Sequence, residues 1–185
     1  MQLLKKFHRL KKHLQELIDN KGGLTMATEN VNHPSHYNQH PAGIECIDII
    51  RHYTCDIANA IKYLWRAGLK ADYSMADCEK EIEDLNKAIW YIEDYVQHHR
   101  PSTYLPVDRS EMEHTIYELT GYSVRQITES YPNTIHMALF CLLHVGLISQ
   151  GKVLHCTYWR ADLIRASYNI QQRIEFIKES FAEND

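Results

Sequence analysis

Apolar positions along this chain recur mostly every three or four residues, the period of helices buried on one face. Leu3, Phe7, Leu10, Leu14 and Leu17 form one such stripe and predict a helix over Leu3–Ile18. Residues 28–43, rich in His, Asn and Pro, show no period and read as an ordered loop. The pattern resumes over Ile44–Tyr53 and again over Ile57–Ala67, after which Gly68 is the residue type at which helices stop in a left-handed conformation. Ser74 with Asp77 three residues later has the form of a capping box and opens a long helix to about His98. Along it Cys78, Ile82, Leu85, Ile89, Ile92 and Val96 make one continuous apolar stripe. Residues 98–106, with two prolines, read as a linker. Beyond them Glu111–Thr120, Ser123–Tyr131 and Ile135–Val145 read as three helices; Gly121 turns the chain after the first and Ser123 caps the second. Residues 149–152 are a turn between short β-like runs, Val153–Trp159 being the better strand, and a last helix spans Ala161–Phe181.

The expected fold is mainly α. It has a small helical N-terminal domain over residues 26–100, a linker over 101–106, and a C-terminal domain over 107–185 with a short β-hairpin. Three helices followed by a hairpin resemble a winged helix-turn-helix, most specifically over Leu142–Trp159. That resemblance implies DNA or a host protein as partner for residues 107–185. The helix Thr134–Val145, which would enter the major groove, contains no Lys or Arg, and DNA affinity rests largely on phosphate neutralisation, so protein contact ranks above DNA.

Composition narrows the classes. The chain has 185 residues, 44% of them hydrophobic and 24% charged, enough to bury a core. Net charge runs +4 over residues 1–25, −5 over 26–106 and −3 over 107–185, which argues against nucleic-acid binding by the whole surface. The basic first helix reads as a solvated face, with a membrane-surface or nucleic-acid role as the alternative. Lys21–Met26 is also what a purine-rich ribosome-binding sequence and a start codon would encode in frame, so translation is expected to start at Met26, leaving 160 residues of net charge −8. No apolar run approaches a membrane span, and no secretory signal is visible. Five Cys without a C-x-x-C pair fit reduced thiols and a cytoplasmic location.

Only seven glycines are present, and no glycine-rich phosphate loop, so any phosphate must be held by side chains. The helix Ile57–Ala67 offers them. With Asn59 at zero and ~100° per residue, Lys62, Tyr63 and Arg66 fall at roughly −60°, +40° and −20°, opposite the apolar Ile57, Ala60, Ile61 and Leu64. An amide, an ammonium, a phenol and a guanidinium on one face suit a phosphate, with Lys70 just beyond Gly68; a solvated basic face is the competing reading. On the long helix Trp90 and Tyr91 are costly to leave in water and suit a core, a subunit contact or a stacked base. Because that helix has apolar character on two sides, a homo-oligomer is expected. The loop carries His33, His36 and His40, which with Glu45 or Asp48 have the donors of a metal site; alternatively, its His and Tyr side chains fix its shape or touch a ligand.

Four segments then stand out: VNHPSHYNQ, GIECIDII, NAIKYLWRAGLK and EDLNKAIWYIEDYV, all within Val31–Val96. They resemble the blocks of a small phage family that includes a nucleoside-monophosphate kinase unrelated to P-loop kinases. The resemblance implies nucleotides as partners and a nucleoside triphosphate as phosphate donor, with magnesium as a companion ion. It places His33, Ser35, His36 and Tyr37 in the first motif, Asn59, Lys62, Tyr63, Arg66 and Lys70 in the central one, and Asp84, Lys87, Trp90 and Tyr91 in the last. Catalysis is expected from Lys62 and Arg66 as phosphate clamps and from His36 or Asp84 orienting the attacking phosphate; Tyr37, Tyr63 or Trp90 would stack on the base. Two alternatives remain: an all-α hydrolase holding magnesium on Glu45 and Asp48, or on Glu81, Glu83 and Asp84, and a non-enzymatic regulatory or host-interaction protein.

Overall fold

The computed structural model describes residues 35–69, 77–98 and 104–182. The basic segment 1–25, the start at Met26, His33, Lys70 and the Ser74 cap lie outside the described residues. The chain divides into two units, Met1–Ser35 and His36–Asp185; apart from one short helix that begins at Ser35, the described elements belong to the second. The elements are α1 (Ser35–Asn38), α2 (Cys46–Ile50), α3 (Cys55–Arg66), α4 (Asp77–His98), β1 (Tyr104–Val107), α5 (Arg109–Thr120), α6 (Val124–Thr128), α7 (Asn133–Leu143), β2 (Val145–Ser149), β3 (Lys152–Cys156) and α8 (Trp159–Ala182). The fold is mainly helical with a short β element, as expected; among the described residues that element is a three-stranded sheet rather than a hairpin alone. No described helix is long and apolar enough to cross a membrane.

Local chemistry sets several boundaries as anticipated. Gly68 and Gly121 both adopt positive φ after a helix. Ser123 and Gln126 make a full capping box at the start of α6. Other boundaries differ. The loop 28–43 contains the short α1, and the helix expected over Ile44–Tyr53 closes at Ile50, where residues 51–52 turn and Tyr53 pairs with the sheet. Residues 104–106, expected in the linker, form with Val107 strand β1, which pairs in parallel with β3 from Tyr104↔Val153 to Val107↔Cys156. β2 pairs antiparallel with β3, giving the order β1-β3-β2.

The free edge of β2 is taken up by the stretch between α2 and α3. Tyr53 bridges Leu147, Thr54 N–H donates to the Gly146 carbonyl (2.9 Å) and Ile148 N–H donates to the His52 carbonyl (2.7 Å). Gly146 sits there at φ +70°, and a Cβ on it would lie 2.7 Å from Thr54 Oγ1. His155, fully buried, accepts from Gly146 N–H at Nδ1 (3.2 Å), so the neutral ring's proton is on Nε2, 3.2 Å from Tyr95 Oη.

One core runs from Ile44 to Ile177 and draws on both sides of residues 101–106. Its central element is α7, with Ile135, Ala138, Leu139, Cys141, Leu142 and Leu143 buried against α8 and α3. That is the helix the winged-helix resemblance would place in a DNA groove. The long α4 packs between α3 and α8. Because two neighbours cover it, its buried face is turned from the expected stripe: Ala88 and Tyr95 are inside, Val96 is 51% exposed, and two charged residues, Lys80 and Asp84, are buried.

His40 pins the first loop to α6. Ala42 N–H donates to its Nδ1 (3.2 Å), which leaves the proton on Nε2 to donate to the Ile127 carbonyl (3.1 Å). Burial holds His40, His52 and His144 below the ordinary imidazole range. The folded state therefore favours the neutral rings, while the unfolded chain takes up protons at its ordinary pKa of about 6.5. Stability that is full above that pH is lost as pH falls through it. Urea midpoints are expected to drop between pH 7 and 5, and His40→Gln, which keeps a donor for Ile127, to flatten part of the drop; a midpoint that rises on acidification contradicts this.

Candidate functional site

The richest cluster of chemistry lies where α3 meets α4, with Tyr37 of α1 against it. Tyr37 is brought there by Trp65, whose indole N–H donates to the Tyr37 carbonyl (3.2 Å). Arg66 does not stand on an exposed face as the helical wheel implied. It is 8% exposed, because α4 covers it and supplies Asp84, itself 1% exposed. Arg66 Nε donates to Asp84 Oδ2 (2.9 Å), Nη2 to Oδ1 (2.8 Å) and Nη1 to Tyr37 Oη (2.9 Å). Burial pulls the Arg66 pKa down, but the hydrogen bond and charge of Asp84 outweigh it and the net direction is up. Burial raises the Tyr37 phenol against the opposing pull of Arg66.

Around Tyr63 three cations converge. Lys62 Nζ lies 4.9 Å from the ring centroid, the Arg66 guanidinium carbon 4.6 Å and Lys87 Nζ 5.6 Å. Lys80, a residue the helical pattern did not single out, adds a fourth cation nearby, its Nζ 4.0 Å from Asp84. Two carboxylates face these four cations. Asp84 is taken by Arg66, and Glu83 is shared by Lys80 and Lys87, whose hydrogen bonds hold its carboxyl well below the usual carboxylate range. The same contact raises Lys87. Lys62 has no carboxylate partner among the described residues; it donates to Asn59 Oδ1 (2.6 Å). Burial and then the like charge of Arg66 lower its pKa. An anion beside Lys62 would relieve both.

Aromatic rings continue from this cluster. Tyr63 stacks on Tyr91 (centroids 5.8 Å, planes 19° apart), and Trp90 meets Tyr91 edge-on at 4.9 Å while remaining 57% exposed. His36 lies against Tyr37, ring centroids 4.3 Å apart. Ser35 is the first residue of α1.

The structure therefore brings together Tyr37, Asn59, Lys62, Tyr63, Arg66, Asp84, Lys87 and Trp90. It joins to them Tyr91 of the last motif and Glu83, considered above for magnesium, and adds Lys80, whose signal was the spacing Lys80–Glu83–Lys87 at i, i+3 and i+7 on one helix side. Four of the five carboxylates considered for magnesium are engaged by cations: Asp84 by Arg66, Glu83 by Lys80 and Lys87, Glu81 by Arg173 (2.8 Å), and Asp48 by Arg51 (2.9 Å). Of the loop imidazoles, His40 serves to fix the loop, the second of the two uses open to them.

Residues 31–93 match the model of a family described as protein of unknown function, DUF3310. No curated protein and no solved structure matches the chain. The matched stretch contains every residue of the cation and ring cluster, and none of α5 to α8.

Proposed function

We propose that this protein is a phage enzyme of nucleotide metabolism that phosphorylates nucleoside monophosphates, acting in the cytoplasm of the infected bacterium. The observation that carries the reading is the convergence of Lys62, Arg66 and Lys87 on the Tyr63 ring, with Lys62 lacking a carboxylate partner among the described residues. Phosphoryl transfer asks mainly for positioning and charge neutralisation, which such a surface supplies without a glycine loop. A phosphate oxygen of the monophosphate attacks the donor's γ-phosphorus; the new P–O bond forms as the β–γ bridging bond breaks, and the donor leaves as a diphosphate. Magnesium enters bound to the triphosphate.

Lys62 and Lys87 are the phosphate clamps in this scheme. Arg66 and Asp84, locked to each other, are positioning residues that hold Tyr37 and the underside of Tyr63. The open Trp90 ring suits base stacking, and His36 beside Tyr37 suits the acceptor phosphate. Trp90 and Val96, both exposed on α4, support self-association. The groove-reading version of a regulator draws less support, since α7 carries no Lys or Arg to neutralise phosphates.

Purified protein given nucleoside monophosphates and a triphosphate should form diphosphates, followed by chromatography. Lys62→Ala and Lys87→Ala should each lower kcat/KM by about ten- to a hundredfold, the loss of one charge-assisted contact. Unchanged rates in both variants would remove the site from this cluster.

A further inference from the structure

A separate cavity of about 340 Å³ opens beyond the end of α3, between the family-matched stretch and the C-terminal half. That volume lies in the range of small-molecule pockets. Its walls are rings at Pro41, Tyr131 and Pro132, aliphatic at Ile135, and polar at Ser130, Glu81 and Arg173. Arg173 comes from α8 and is held at one edge: Nε donates to Glu81 Oε1 (2.8 Å), and the guanidinium lies 5.5 Å from the Phe176 ring centroid. Its Nη1 and Nη2 have no hydrogen-bond partner among the described residues. Two parallel donors on a fixed guanidinium match a carboxylate or a phosphate.

Ser130 supplies a third donor. His40 Nε2 carries the one ring proton and shares it between the Ile127 carbonyl and Ser130 Oγ, each 3.1 Å away, so Ser130 accepts there and keeps its own hydrogen to give. Gly68 completes the wall at φ +76°; a Cβ on it would come within 3.2 Å of Glu81 Oε2, the group that aims Arg173. The cavity thus combines a held guanidinium, a hydroxyl donor, one aromatic ring and neighbouring apolar side chains.

We propose that this pocket binds a small planar ring carrying an oxyanion, with the oxyanion on Arg173 and Ser130 and the ring against Pro41, Tyr131 and Ile135. The site is distinct from the Lys62 cluster and does not depend on the kinase reading. A nucleoside monophosphate and an aromatic carboxylate share this chemistry, and titration distinguishes them.

Isothermal titration of the full chain with adenosine monophosphate and with benzoate is the test. At least one probe should bind in a manner that Arg173→Lys weakens by about tenfold or more, since a point charge replaces the fork. Ser130→Ala, a change at an exposed position, should weaken it as well, and decides the matter if the Arg173 variant does not fold. Lys62→Ala should leave the Arg173-sensitive binding unchanged, whatever it does to monophosphate held at the Lys62 cluster. The proposal is overturned if neither probe binds at millimolar concentration, if Ser130→Ala and any folded Arg173 variant bind like the parent, or if Lys62→Ala abolishes the Arg173-sensitive binding.

Discussion

Asp84→Ala should cost about 3–5 kcal/mol, because it leaves the Arg66 guanidinium buried without its counter-charge. Asp84 is 1% exposed and takes two of the three side-chain hydrogen bonds that Arg66 donates. Nothing at the site replaces it: Glu83 is held by Lys80 and Lys87. Chemical denaturation of parent and variant measures the loss, and a change below about 1 kcal/mol would mean the pair is solvated. The double variant Arg66→Met, Asp84→Leu removes both charges together and should recover most of the stability. That recovered protein separates structure from function. If the pair only fills the core, the double variant phosphorylates at the parent rate. If the pair positions Tyr37 and Tyr63, the variant folds but keeps a raised KM or a lowered kcat.

Gly146→Ala should be the most damaging single methyl addition, at about 2–4 kcal/mol. Two terms add. The residue sits at φ +70°, where an L side chain is strained, and the new carbon would lie 2.7 Å from Thr54 Oγ1, 3.0 Å from Ile57 Cγ1 and 3.2 Å from Tyr95 Oη. Gly151 provides the control. Its φ is +73°, but a Cβ there meets nothing within 4 Å, so Gly151→Ala should lose only the backbone term of about 1–2 kcal/mol. Thermal or urea unfolding of the two variants side by side isolates the close approach. Equal losses would show that the stretch around Thr54 is not pressed onto β2.

Much of this fold was legible in sequence because its signals are local. The cap at Ser123, the stops at Gly68 and Gly121 and the apolar runs of α3, α7 and α8 are properties of neighbouring residues. What was not legible depended on partners far along the chain. β1 lies in a proline-bearing stretch and exists only because β3 pairs with it some fifty residues later. The face of α4 was misjudged for the same reason. Its wheel put Leu85 and Ile92 inside, as they are, but also Val96, whereas α8 and α3 together select Ala88 and Tyr95. At the site, the wheel correctly put Asn59, Lys62 and Tyr63 on one side of α3. It could not show that a second helix would cover Arg66 with a carboxylate, or that Lys80 would be drawn in beside it.

The pairing of β1 with β3 and the docking of residues 52–54 on β2 bear on how the chain reaches its native state. Loop closure across roughly fifty to a hundred residues must precede those contacts, and such non-local contacts slow folding. During synthesis, α3 and α4 leave the ribosome well before α7 and α8, the helices that pack against them. The nascent N-terminal half is therefore an apolar intermediate waiting for its other half, the stage most exposed to aggregation and most dependent on chaperones.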